Sequence, residues 1–218
     1  MAKYRGKKQH RLAHPKIFVW SHTKKAEIEY FQDFKNYLKT PLLMPKKEIC
    51  WKPQELLEYV VNWKQNSANI NEKDHDQVWC IFDIDDFYKN DNDGFLKAIK
   101  YARENNVKIA YANECFELWV LLHFQKVLSP IHRGKDVEAK IQKAFKKNGL
   151  KHFQKNQKVF DVLLPFQEQA LKNAKSLLPM SYEKINWGNA LSNKGNPSTS
   201  IHLLVGEIIK FKDIQILP

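Results

Sequence analysis

The chain has 218 residues, 43% of them hydrophobic, and a formal net charge of +12 at pH 7. That length supports one full core, or a core with a small appendage, and no apolar run is long enough to span a bilayer. The basic N-terminus lacks the apolar stretch of a secretory signal, so the chain reads as cytoplasmic, and the cation surplus points to a polyanionic partner, nucleic acid being the commonest.

Residues 1–14 read as a flexible basic arm closed off by Pro15. Lys16–Trp20 then reads as a strand, with Ser21, His22 and Thr23 supplying a turn. Ile28, Phe31, Phe34, Tyr37 and Leu38 recur at helical spacing and predict a helix over 24–39. Glu48–Trp51 is a weak strand, and Pro53 opens a helix over 53–65. After a polar loop comes a strong strand at 77–83. A turn around Asp91–Gly94, a helix through Ile99, a strand at 107–112 and an apolar helix from Phe116 follow. The alternation of strands and helices argues for right-handed crossovers and a mostly parallel α/β sheet over 15–125. Residues 126–218 read as a helix-rich extension packed on that core. Its helices are expected at 134–148, 159–178 and 198–210, the last capped by Ser198 or Thr199.

The most informative tract is Trp79-Cys80-Ile81-Phe82-Asp83-Ile84-Asp85-Asp86. An apolar, β-prone run ends in three carboxylates. Alternation places Asp83 and Asp85 on the same side of a strand. Like charges that close repel unless a cation sits between them, and a hard ion such as Mg²⁺ is the usual solution. The carboxyl end of a strand is also where open α/β sheets bind ligands. The alternative is a turn whose aspartates bond to backbone N–H groups, as Asp91 and Asp93 suggest.

The next strand-to-helix junction carries Asn113, Glu114 and Glu117. Glu117 falls in a helix's first turn, where the dipole favours its charge, and it could equally join the metal cluster. His22 and Glu27 follow the first strand, with Lys24 and Lys25 beside them to hold a phosphate. His123 lies on an apolar helix, where a histidine satisfied within the core is the first reading and a ligand the second. The segment 135–155 interleaves lysines, among them Lys143, Lys146 and Lys147, with Phe145 and Phe153; as a patch this suits phosphate contacts and base stacking, while each residue singly reads as part of an amphipathic helix with its Phe buried and its Lys solvated. The chain has no phosphate-cradling lysine loop, and with only 7 glycines any nucleotide hydrolysis falls to a partner. Cys50, Cys80 and Cys115 show no metal-ligand spacing and no disulfide pattern.

Taken in order, Glu27-Ile28-Glu29-Tyr30-Phe31, the Phe82-Asp83-Ile84-Asp85-Asp86 tract, Cys115-Phe116-Glu117-Leu118-Trp119 through His123-Phe124, and Asn196-Pro197-Ser198-Thr199-Ser200 resemble the RloB-like family. The resemblance covers nearly the whole chain after the basic arm. It implies a TOPRIM-type fold and a Mg²⁺-dependent nuclease (Mn²⁺ as the other candidate) of bacterial anti-phage loci, acting on DNA or RNA and often encoded beside an AAA- or ABC-type ATPase. It maps the TOPRIM Asp-x-Asp pair onto Asp83 and Asp85, with Asp86 or Glu117 helping to hold the metal. It also exposes a departure. Alignment on Tyr30–Phe31 puts His22 where the family's first glutamate belongs and Glu27 on the second. His22 or Glu27 is therefore expected to move protons, with Asn113 and His123 in support. The other reading is a catalytically idle module that binds nucleic acid or a protein partner.

Overall fold

The structure, a computed structural model, describes residues 15–22, 26–39, 43–46, 52–71, 73, 75–84, 90–132, 135–154 and 158–214, with 43–46 and 211–214 described as backbone alone. Five strands form one sheet in the order β2-β1-β3-β4-β5: β1 Ile17–Ser21, β2 Leu43–Lys46, β3 Gln77–Asp83, β4 Val107–Asn113 and β5 Ser198–Thr199. The first four run parallel and β5 runs antiparallel to β4. The expected α/β architecture with a helix-rich C-terminal part is what the chain adopts.

Helices cover both faces, so the central strands are apolar throughout instead of alternating. On one face Ile17, Val19, Trp79, Ile81, Ala110 and Ala112 pack against α1 Ala26–Leu38 and α4 Glu117–Leu122. Also in this layer are α5 Lys135–Lys147, α6 Phe160–Leu163, α7 Gln167–Leu177 and α9 Ile201–Ile214. On the other face Phe18, Trp20, Val78, Cys80, Phe82, Ile109 and Tyr111 pack against α2 Pro53–Asn66, α3 Asn92–Glu104 and α8 Trp187–Leu191.

Three details depart from the sequence reading. The second strand is Leu43–Lys46, and the expected strand at 48–51 lies outside the described residues. Pro45 sits opposite Val19 in this strand, and it is tolerated because β2 is at the sheet's edge. The long helix expected at 159–178 is broken, because Pro165 opens a 3₁₀ turn between α6 and α7. Ser198 and Thr199 are not helical but form β5. Thr199 Oγ1 still accepts from the Ile201 N–H at 3.1 Å, as a cap would.

The hydroxyls of this segment finish the open side of β4. The Thr199 hydroxyl donates to the Tyr111 carbonyl at 2.6 Å, and the Ser200 hydroxyl donates to the Ile109 carbonyl at 3.0 Å. In return the Tyr111 N–H donates to Ser200 Oγ at 3.1 Å. The Asn-Pro-Ser-Thr-Ser motif is thus an edge seal that satisfies β4's backbone. On β3's far side, Asp91 caps α3 by accepting from the Gly94 N–H at 3.0 Å, so this aspartate is structural.

Candidate active site at the carboxyl rim of the sheet

The carboxyl ends of β1, β3 and β4 meet along one rim. Among the buried polar residues described there are His22, Glu27, Asp83 and Asn113. Register fixes their order, with Ser21 beside Ile81 and Asp83 beside Ala112. The His22 N–H donates to the Ile81 carbonyl at 3.3 Å, and the Ile84 N–H donates to the Ala112 carbonyl at 3.1 Å. The backbone is therefore laddered up to the site on both sides of β3.

The places of these four differ. Asp83 continues the Trp79–Ile81 row, which faces α1 and α4. Glu27 belongs to that same layer. It lies three, four and seven residues before Tyr30, Phe31 and Phe34, on the core-facing stripe of α1, at the end of the helix that starts from the rim. His22 follows the end of β1 in a bend and is buried. Asn113 continues the Ile109–Tyr111 row of the other face. Its amide donates to the carbonyls of Ala190 at 3.0 Å and Ser192 at 2.9 Å, so it anchors the end of α8. Glu117 lies in the first turn of α4, in the same layer as Glu27 and Asp83. Asp83 and Glu27 thus belong to the same layer. Lys24, Lys25, Asp85 and Asp86 lie outside the described residues.

Two rim residues escaped the sequence reading as site residues. Glu114 follows β4, and its Oε2 lies 3.1 Å from His132 Nδ1. His132 comes from a loop held by Asn196, whose amide oxygen accepts from the Ile131 N–H at 2.9 Å and whose amide nitrogen donates to the Ile131 carbonyl at 2.8 Å. No local pattern joins positions 114, 132 and 196, so the sequence carried no signal for this arrangement.

His123 is not at the rim. It lies just beyond the far end of α4, fully buried, with Nδ1 2.8 Å from the Trp119 carbonyl. That contact places the ring proton on Nδ1 and the lone pair on Nε2. Burial pulls its pKa down to about 4, against which the hydrogen bonds to Trp119, Gln167 and Val120 work only in part. It is a neutral, buried histidine. Beside it the Tyr30 hydroxyl donates to Gln167 Oε1 at 2.7 Å.

The basic helix α5 also sorts cleanly. Val137, Ile141, Ala144 and Phe145 are buried, whereas Lys143, Lys146 and Lys147 are exposed. Phe145 packs on Phe124 and Phe153 with ring centroids 5.2 and 5.5 Å apart. Phe145 and Phe153 are therefore core residues and not stacking platforms, as the amphipathic reading of this helix expects for each residue singly. The helix ends at Gly149, whose φ of 69° lets the Leu150 N–H reach back to the Phe145 carbonyl at 3.0 Å.

The family model for RloB-like proteins matches residues 17–208, from the first residue of β1 into α9. The chain belongs to the RloB-like family. No curated protein matches it, and no solved structure does. The match spans both the sheet and the helical C-terminal part, so the Asn196 clamp and the β5 seal fall within the family's extent. Among the described residues, no helix is long and apolar enough to cross a membrane. Among the same residues, no group of three or more His, Cys, Asp or Glu side chains is set to hold a metal ion.

Proposed function

We propose that this RloB-like protein is a metal-dependent nuclease that cleaves phosphodiester bonds of DNA or RNA, transfer RNA included. The observation that carries the reading is the placement of two buried carboxylates, Asp83 and Glu27, on one face of the rim where parallel sheets bind ligands. Burying a carboxylate is costly, and a bound cation offsets that cost. Their oxygens are hard donors of the kind Mg²⁺ takes. Asp83 and Glu27 would hold the ion, with Asp85, Asp86 and Glu117 as further donors, while His22 or Glu27 would move protons. The ion, when bound, would polarise the phosphate and lower the pKa of a water.

Other groups of the chain have separate tasks. The exposed Lys143, Lys146 and Lys147 hold the nucleic-acid backbone by charge, which makes binding fall steeply with salt, and Lys24 and Lys25 join them. Glu114 and His132 place a carboxylate–imidazole pair at the same rim, suited to proton transfer. The setting in anti-phage defence and control by an AAA- or ABC-type ATPase belong to this proposal through the family resemblance. Purified protein with Mg²⁺ or Mn²⁺, offered DNA and total RNA, should cut a substrate that Asp83→Ala leaves intact. Failure on every substrate, with and without the cognate ATPase, sinks the reading.

A second reading has one observation in its favour: on the family resemblance, His22 stands where the first glutamate belongs. It makes the protein an idle module that binds nucleic acid. Calorimetric titration separates the two. Salt-dependent nucleic-acid binding without metal binding supports the module.

A further inference from the structure

The helical layer holds a polar cavity of about 560 Å³ beyond the far end of α4, lined by Phe124, Asn148, Phe166, Glu168, Gln169 and Lys172. It has the size of a nucleotide site. Phe124 and Phe166 stand 5.0 Å apart at an interplanar angle of 54°. Both are only half-buried, and Phe166 is held on the short Leu164–Phe166 turn by Pro165. Unlike Phe145 and Phe153, these rings offer area to a visitor.

The polar groups have unused capacity. The Asn148 amide nitrogen donates to the Ala144 carbonyl at 2.8 Å, and the Gln169 amide nitrogen donates to Asn173 Oδ1 at 2.8 Å. Both amide oxygens remain open acceptors among the described residues. Lys172 and Glu168 form no ion pair among those residues, although they are four apart on α7. The cavity therefore presents ring faces, two amide oxygens, a carboxylate and a cation. Acceptors of this kind suit the exocyclic amino groups of a base, rings suit its π-face, and a lysine suits its phosphate.

Its position fits the same ligand. The Asn173 amide donates to the Leu122 carbonyl at 2.8 Å and pins α7 to the end of α4. As α4 has six residues, the cavity begins about 9 Å from the helix end at the rim. The exposed Lys146 and Lys147 directly precede Asn148 in the chain.

We propose that this cavity takes one unstacked nucleobase, with its phosphate, from a single strand of nucleic acid. The inference rests on the reading that the protein binds nucleic acid and adds where it grips a base. The test uses the full chain without divalent metal and short single-stranded RNA and DNA oligonucleotides carrying 2-aminopurine at successive positions. Fluorescence should rise at one position as that base leaves its neighbours. Phe166→Ala should weaken binding by about tenfold and abolish the rise. Gln169→Ala and Lys172→Ala, both on the surface and harmless to folding, should each weaken binding several-fold. Lys175→Ala, on the same helix but outside the cavity, should leave the fluorescence rise intact. Oligonucleotides that bind with no position brightening, and with Gln169→Ala and Lys172→Ala no weaker than Lys175→Ala, overturn the cavity while the nucleic-acid reading stands. No binding of either oligonucleotide overturns both.

Discussion

The two rims of the sheet are built on opposite electrostatic plans. At the amino rim, charged and polar groups are spent on one another. The Lys16 N–H donates to Asp76 Oδ1 at 2.8 Å and the Asn71 N–H donates to Asp76 Oδ2 at 2.9 Å. The Gln77 amide donates to Glu207 at 2.9 Å while its oxygen accepts from the Trp79 indole at 2.9 Å and from Lys108 at 3.2 Å. Lys108 also lies 5.3 Å over the Trp79 ring, and Lys210 pairs with Glu207 at 2.8 Å. At the carboxyl rim, Glu27 and Asp83 are buried and Glu114 and Glu117 follow at the ends of strands and the starts of helices. The first arrangement stabilises the fold, and the second supplies hard oxygen donors of the kind a cation takes. The carboxyl rim is therefore where chemistry is expected.

That contrast can be broken most directly at Asp83. Asp83→Asn should lower the cleavage rate by at least on the order of a hundredfold. It should leave the metal-free urea midpoint close to the wild-type value, because Asn keeps the size of Asp and removes a buried charge. A loss of several kcal/mol in the variant would make Asp83 structural and erase the difference between the rims.

Acid titration supplies the background against which either rim is judged. Burial holds His123 and His202 at about 4 in the folded protein, below their usual 6.5. Unfolded chains bind these protons first. Stability is therefore intact above pH 6.5, falls as pH drops toward 4 and levels off below it, by up to about 3 kcal/mol for His123. Urea midpoints measured across that range should show the fall, and His123→Gln should flatten it. An unchanged slope in that variant would show that His123 is not the source of the acid sensitivity.

Gln77→Ala tests the amino rim. It strands the Trp79 indole and removes partners from Glu207 and Lys108, at a cost of about 1–3 kcal/mol. Cleavage per folded molecule should stay at the wild-type value, and a drop would show that the rims are coupled. The smallest effect belongs to Glu207. Burial raises its pKa, but the bonds from Gln77 and Lys210 outweigh it and hold the carboxyl below the usual 4.5. Its stabilisation is present above that value and is lost as pH falls through the lowered one. Glu207 is half-exposed, so the difference between wild type and Glu207→Gln should stay under about 1 kcal/mol at neutral pH and vanish in acid.

The strands β1, β3 and β4 were legible because helices cover both faces of the sheet and the strands read as unbroken apolar runs. β2 was not, since an edge strand of four residues containing proline and lysine carries no such run. Ser198 and Thr199 read as helix caps because their hydroxyls suit a helix start as well as a strand edge, and only the distant Tyr111 backbone decides between the two. Asp83 was visible as the end of an apolar strand. The Glu114–His132 pair was hidden, because a loop and the side chain of Asn196 make it in space.

The seal on β4 has a consequence for the order of events on the ribosome. The serine that bonds to Tyr111 lies 89 residues further along the chain. Until it emerges, the nascent sheet carries one side of β4 with its backbone groups open to any neighbouring strand. Molecules translated close together on one messenger would share that exposure. The Asn-Pro-Ser-Thr-Ser segment therefore sets the moment at which a newly made chain stops being able to pair with its neighbours.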